Sequence, residues 1–171
     1  MAKDEISELF NSDKSELSNE YSNYLLEQYK LYVELSDRLS SRRVATNTFF
    51  LTVNTALITI MAVLSQNLIQ QRTIGAVLMS LTAFTAIVFC FAWYRILSAY
   101  KQLNAAKFKV IHELEKRLPA RIFEKEWEVL GKGEDPNVYM PLTNIERIIP
   151  ILFVVVYLIF AISVSIVSLA T

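Results

Sequence analysis

Charge is almost absent from two long stretches of this chain. From Val44 to Trp93 the only charged residue is Arg72, and from Ile148 to Thr171 there is none. Uncharged apolar runs of about 20 residues match a hydrocarbon layer ~30 Å thick. Three spans follow: Val44–Leu64, Thr73–Trp93 and Ile148–Ala170. Each is long enough to cross at ~1.5 Å per residue with some tilt. Helices of a soluble bundle normally keep a charged face, and none of these does. The expected fold class is therefore an all-α membrane protein with three transmembrane helices. The averages over 171 residues, 53% hydrophobic and 20% charged, blur spans and charged segments together. With 17 basic and 17 acidic side chains there is no basic excess for nucleic acid, which is not an expected partner. The lipid bilayer is.

Orientation follows from the basic residues beside the spans. The segment up to Arg43 holds six Lys and Arg, the Ser65–Arg72 connection one, and Tyr94–Arg147 ten. This places the N-terminus and the long middle segment in the cytoplasm, with the short hairpin and the C-terminus outside. The first span begins only after 43 polar, acidic residues, unlike a cleavable signal peptide. The expected division is a flexible acidic tail over 1–17, a cytoplasmic helix over 18–43 and the first span over 44–64. An outer hairpin over 65–72 and the second span over 73–93 follow. A cytoplasmic helix over 94–118, a short helix and loop over 119–147 and the third span over 148–170 complete the chain.

Between Lys14 and Gly75 there is no glycine or proline. One helix capped by Ser18 or Asn19 therefore runs through the first span to about Ser65, ~72 Å of helix. The second span continues from Thr73 to Leu118, ~69 Å, where Pro119 stops it. Their matched lengths predict an antiparallel hairpin whose cytoplasmic halves form a helical stem. Tyr21, Leu25, Tyr29, Tyr32, Leu35 and Leu39 recur at steps of three and four, and Leu97, Tyr100, Leu103, Phe108, Ile111, Leu114 and Leu118 recur similarly. Residues 1–43 carry six basic and nine acidic groups, and residues 94–118 six basic and two acidic. These opposite signs favour pairing of the two halves, although exposed pairs add only tenths of a kcal/mol each. The stripes serve equally well as a surface for another subunit or partner. Beyond Pro119, Ile122, Phe123, Trp127 and Leu130 share one side of a short amphipathic helix. Thr143 with Glu146 fits a capping box before the third span.

Polar residues inside the first span stand out: Asn47 and Asn54 one heptad apart, with Thr48, Thr52, Thr55 and Thr59 at steps of four, three and four. They form a candidate polar stripe, which in lipid needs hydrogen-bond partners. Two readings are open. The stripe is glue between helices, or the water-contacting wall of a pore once copies assemble. No Asp, Glu, Lys, Arg or His lies within a span, which argues against an ion-coupled transporter but not against a non-selective pore.

No catalytic, metal or cofactor site is expected. Cys90 is the only cysteine and His112 the only histidine. The run His112-Glu-Leu-Glu115 lacks the second histidine of a zinc-protease motif. Gly131-Lys-Gly133 lacks the spacing and the following Lys-Ser/Thr of a phosphate loop. Glu124, Glu126 and Glu128 read as a solvated helix face.

The segments Trp93-Tyr-Arg95, Ser98-Ala-Tyr-Lys-Gln-Leu-Asn104, Lys107–Pro119 and Glu126-Trp-Glu-Val-Leu-Gly-Lys-Gly133 resemble the small bacterial RipA-family octameric membrane proteins. Ser41-Arg-Arg43, Asn47-Thr-Phe-Phe50 and Asp135-Pro…Tyr139…Pro141-Leu-Thr143 fit the same family. The resemblance covers about residues 25–160. It implies a ring-like homo-oligomer of eight subunits in the bacterial inner membrane. It further implies anti-phage defence by abortive infection, in which a phage component in the cytoplasm, such as a phage structural protein, triggers permeabilisation. The alternative is a non-conducting scaffold that presents the stem to a protein partner.

Overall fold

The computed structural model describes residues 9–10, 20–67 and 72–169, and among them the regular structure is entirely helical. Helix α1 runs Tyr21–Asn67 for 47 residues, and α2 runs Arg72–Glu115 for 44. After them come α3 (Ile122–Val129), a single 3-10 turn Gly131–Gly133, α4 (Leu142–Glu146) and α5 (Ile148–Leu169). Three of the described helices are long and apolar enough to cross a membrane. The caps expected at Ser18 and Asn19, nearly all of the acidic tail and the middle of the outer hairpin lie outside the described residues.

Neither long helix is interrupted where the apolar span gives way to the charged segment, since no glycine or proline lies there. α2 ends at Glu115 rather than at the expected Leu118. The amides of Arg117 and Leu118 reach back only three residues, to the carbonyls of Leu114 and Glu115. A residue preceding proline avoids helical geometry, so the last turn before Pro119 tightens instead of continuing.

The chain divides into two compact units, one from residues 1–41 and 100–141 and the other from 42–99 and 142–171. In the second, the span unit, buried residues recur along each helix: Phe50, Asn54 and Met61 on α1; Met79, Ala83, Ala86, Cys90, Trp93 and Leu97 on α2; Tyr157 and Val164 on α5. Asn47 meets Trp93 and Asn54 meets Cys90, so the spans of α1 and α2 are antiparallel. Arg43 meets Glu146 and Asn54 meets Tyr157, so α5 runs parallel to α1. The outward surface is apolar, with Phe84 67% and Phe91 63% exposed. A few paired polar groups inside an otherwise apolar unit are what a lipid solvent allows.

In the other unit, Leu25, Ser36 and Leu39 of α1 and Ile111, Leu114 and Glu115 of α2 are buried. The expected stripe shifts by one position here: Ser36 is inside, and Leu35 is 38% exposed. The step from Tyr32 to Ser36 keeps the four-three alternation that a straight seam needs, whereas Leu35 breaks it. Five of the nine acidic groups of residues 1–43, on which the expected charge pairing rests, lie outside the described residues. The ion pairs Glu27–Lys30, Glu34–Arg38 and Glu113–Lys116 each run along one helix. Among the described residues, tyrosines make polar contacts between the two segments. Arg117 donates to the Tyr21 hydroxyl at 2.6 Å, Lys107 lies 4.6 Å from the Tyr32 ring centre, and the Tyr29 hydroxyl donates to Glu115 at 3.1 Å.

α3 has no buried residue, and Ile122, expected on its packed side, is 64% exposed. Beyond it, Gly131, Lys132 and Gly133 all take positive φ, +62°, +56° and +69°. The glycines adopt this without a Cβ penalty. At Gly133 a Cβ would also lie 3.1 Å from the Trp127 ring and 3.2 Å from Pro141, so hydrogen there lets the turn fold under the tryptophan.

Candidate functional site

The polar contacts inside the span unit centre on Asn54, which is fully buried. Its amide donates to the Phe50 carbonyl of its own helix at 2.8 Å. Its side-chain oxygen accepts from the Cys90 thiol at 3.2 Å and from the Tyr157 hydroxyl at 2.9 Å. One side chain of α1 thus joins α2 and α5 in a region without water to compete. Two turns nearer the border, Asn47 accepts from the Trp93 indole N–H at 2.9 Å. Trp93 is fully buried, stacked on Phe50 with ring centres 5.5 Å apart and planes 4° apart. Phe153 of α5 closes its other approach at 6.2 Å.

The four threonines lie elsewhere. Thr48, Thr52, Thr55 and Thr59 are all exposed, and each hydroxyl donates to the carbonyl four residues earlier, at 2.8 to 3.1 Å. At 3.6 residues per turn the asparagine pair and the threonine run are separated by about 120° around α1. The six candidate residues therefore make two faces: an asparagine face consumed by packing inside the subunit, and a threonine face left open on its surface. The same wheel arithmetic was available in the sequence, since Asn47, Asn54 and Met61 share one heptad position and the threonines fall on two others.

A charged collar closes the border end of the span unit. Arg43 donates to the Thr143 hydroxyl oxygen at 2.6 Å and lies 3.4 Å from the Glu146 carboxylate. Arg147 donates to the Tyr94 hydroxyl and lies with its guanidinium 4.6 Å from the same ring's centre. The capping box expected from Thr143 and Glu146 is not formed: both residues sit within α4 and turn to Arg43. A partly buried arginine beside them outcompetes backbone amides as a partner for that carboxylate, since a charge-charge contact is the stronger one at low dielectric.

In the other unit the unexpected residue is Glu115, fully buried. Arg121 precedes α3 without a side-chain cap. Glu115 supplies the cap from a distance, accepting from the amides of Phe123 at 2.9 Å and Glu124 at 3.0 Å. Those are orphan donors of the first helical turn, where negative charge is favoured. Tyr29 and Phe108 join this point: Tyr29 bonds Glu115, and both rings pack against Phe123, at 6.4 and 5.8 Å. Tyr21, Tyr29 and Tyr32 thus make the inter-helix contacts, Leu25 is core, Leu35 is outside, and Trp127 stands edge-on to Tyr139 at 6.4 Å. His112 packs on Phe108, and the Glu124 and Glu128 carboxylates pair with Arg121 and Lys125 on the α3 surface.

Burial, and then the bond to Glu115 and its charge, push the Tyr29 phenol up to about 12 from its ordinary 10.0. A raised phenol favours the fold while it keeps its proton. That stability is fully present below pH 10 and is lost as pH rises through the folded value near 12. Phenolate absorbance should therefore show Tyr29 ionising late, and Tyr29→Phe should shrink the late step by one phenol together with part of the alkaline loss of stability. An unchanged alkaline transition in Tyr29→Phe would count against the contact.

The family model of the octameric membrane protein family matches residues 26–167. No curated protein and no solved structure matches the chain.

Proposed function

Because the chain belongs to the octameric membrane protein family, we propose that its copies close into a ring in the bacterial inner membrane and line a non-selective path with the threonine face of α1. The carrying observation is that Thr48, Thr52, Thr55 and Thr59 are exposed while both asparagines are already engaged inside the subunit. From Thr48 to Thr59 the face extends about 17 Å along the helix, a good part of the hydrocarbon layer. With each hydroxyl proton held by the helix's own carbonyl, the oxygen lone pairs are what the face offers to water. Such a wall carries no charge, so it discriminates little between ions.

In this reading the unit holding the tyrosine contacts and α3 keeps the path closed until a phage component in the cytoplasm engages it, and the opened path ends the infection with the cell. The resemblance to defence proteins and the positioning of basic residues beside the spans support the trigger and the orientation. A second reading, a non-conducting scaffold, is favoured by one observation: threonines bonded to their own helix also suit close packing between subunits.

Replacing all four threonines by valine preserves shape and removes the hydroxyls. Cells producing the protein are infected with a panel of phages while membrane potential and survival are followed. The wild type should depolarise upon infection by an inducing phage, and the valine variant, assembled to the same size, should keep its potential and lose protection. Wild-type depolarisation by the valine variant rejects the threonine path. Protection by the wild type with potential held throughout favours the scaffold.

A further inference from the structure

We propose that the collar of the span unit is a binding site for the phosphate of an anionic phospholipid headgroup, gripped by Arg147 and supported by Arg43. The position comes first. Arg43 is the last residue before the first span, Tyr94 the first after the second, and Arg147 the last before the third. Arg43 to Thr143 and Glu146, and Arg147 to Tyr94, bring them together at one border. Tyr94 adds an aromatic residue of the kind that favours the headgroup level.

Charge balance is the second argument. The collar holds two guanidinium groups against one carboxylate. Arg43 and Glu146 are withdrawn from solvent, their side chains 16% and 12% exposed, and answer each other. Arg147 has no carboxylate among the described residues: its contacts are the Tyr94 hydroxyl and the Tyr94 ring. The Nε atoms of both arginines and one Glu146 oxygen are buried without a hydrogen-bond partner. Arg42 and Arg95 flank the collar, exposed and outside any ion pair of the described residues.

A guanidinium at the edge of a low-dielectric layer needs an anion, and its planar fork matches a phosphate better than any neutral acceptor. The anion at that depth arrives with acyl chains. Val44, Ile148, Ile151 and Leu152, each at least half exposed, surround the border and suit those chains. Basic sites between membrane helices at this level take anionic headgroups on the same grounds.

The test is native mass spectrometry of the detergent-solubilised protein equilibrated with phosphatidylglycerol, with phosphatidylcholine, or with inorganic phosphate alone. Wild type should retain phosphatidylglycerol over phosphatidylcholine, with inorganic phosphate failing to displace it. Arg147→Gln, at unchanged oligomer size, should lower retention about fivefold or more. Tyr94→Phe removes a protein acceptor but leaves the charge, and should retain lipid at least as well as wild type. Equal retention of the two lipids by wild type overturns the site whether or not Arg147→Gln assembles. Equal retention by wild type and an assembled Arg147→Gln overturns it too, and displacement by inorganic phosphate reassigns it to a soluble anion and overturns the lipid.

Discussion

Trp93→Ala should destabilise the assembled protein by about 3–5 kcal/mol, the range for removing a large aromatic ring from a packed core. The ring is fully buried, lies flat against Phe50, touches Phe153 and gives Asn47 its hydrogen bond. In a bilayer no hydrophobic drive holds helices together, because lipid tails are as apolar as the core. Dispersion contacts and hydrogen bonds hold them, and the alanine variant loses both at one position while leaving the Asn47 oxygen facing a void. A large shift to lower temperature in a thermal melt of the detergent-solubilised protein is the expected readout. Phe84→Ala, the same type of truncation at a residue 67% exposed, should move the melt little. Equal shifts for the two variants would show that the three-helix packing described above does not carry the stability.

Glu115→Ala should cost about 2–4 kcal/mol in the other unit, combining a lost helix cap with donors left unmatched beside a buried site. Three donors depend on that carboxylate: the amides of Phe123 and Glu124 and the hydroxyl of Tyr29. The effect should be local before it is global. Hydrogen exchange at Phe123 and Glu124 should rise first, because α3 has no buried side chain of its own to anchor it. Glu115→Gln keeps an acceptor and loses the charge that suits a helix N-terminus, so it should fall between wild type and alanine. If the α3 amides stay protected in Glu115→Ala, the helix is held by its aromatic contacts alone.

Neither residue's role is visible in the chain as a string, for different reasons. Glu115 belongs to a His-Glu-Leu-Glu run whose plain reading is a solvated helix surface, and nothing local indicates that an amide pair eight and nine positions on will need an acceptor. Trp93 sits at the end of a span, where tryptophan commonly faces lipid headgroups, so its inward turn is not visible from position alone. The asparagines show the opposite case. Their heptad spacing was legible, and angular arithmetic places them apart from the threonines without any coordinates. The tyrosine stripe was also legible as a packing face, except at Leu35, where hydrophobicity suggested burial and the seam took Ser36 instead.

The amino-acid sequence by itself determined that this chain is helical and spans a membrane. Charge removed over some twenty residues is intolerable in a water-facing helix of a small bundle and required in lipid, and the absence of glycine and proline keeps α1 in one piece. Those causes act within a segment, so they need no knowledge of neighbours. Which polar residues meet which partners was decided only by the tertiary structure. Asn54 joins Cys90 and Tyr157, Glu115 caps α3, and among the described residues Arg147 has no carboxylate while Arg43 has one. Hydrogen bonds and ion pairs fall off within a few ångströms and depend on direction, so residues 36 to 103 positions apart acquire roles only once the helices are packed.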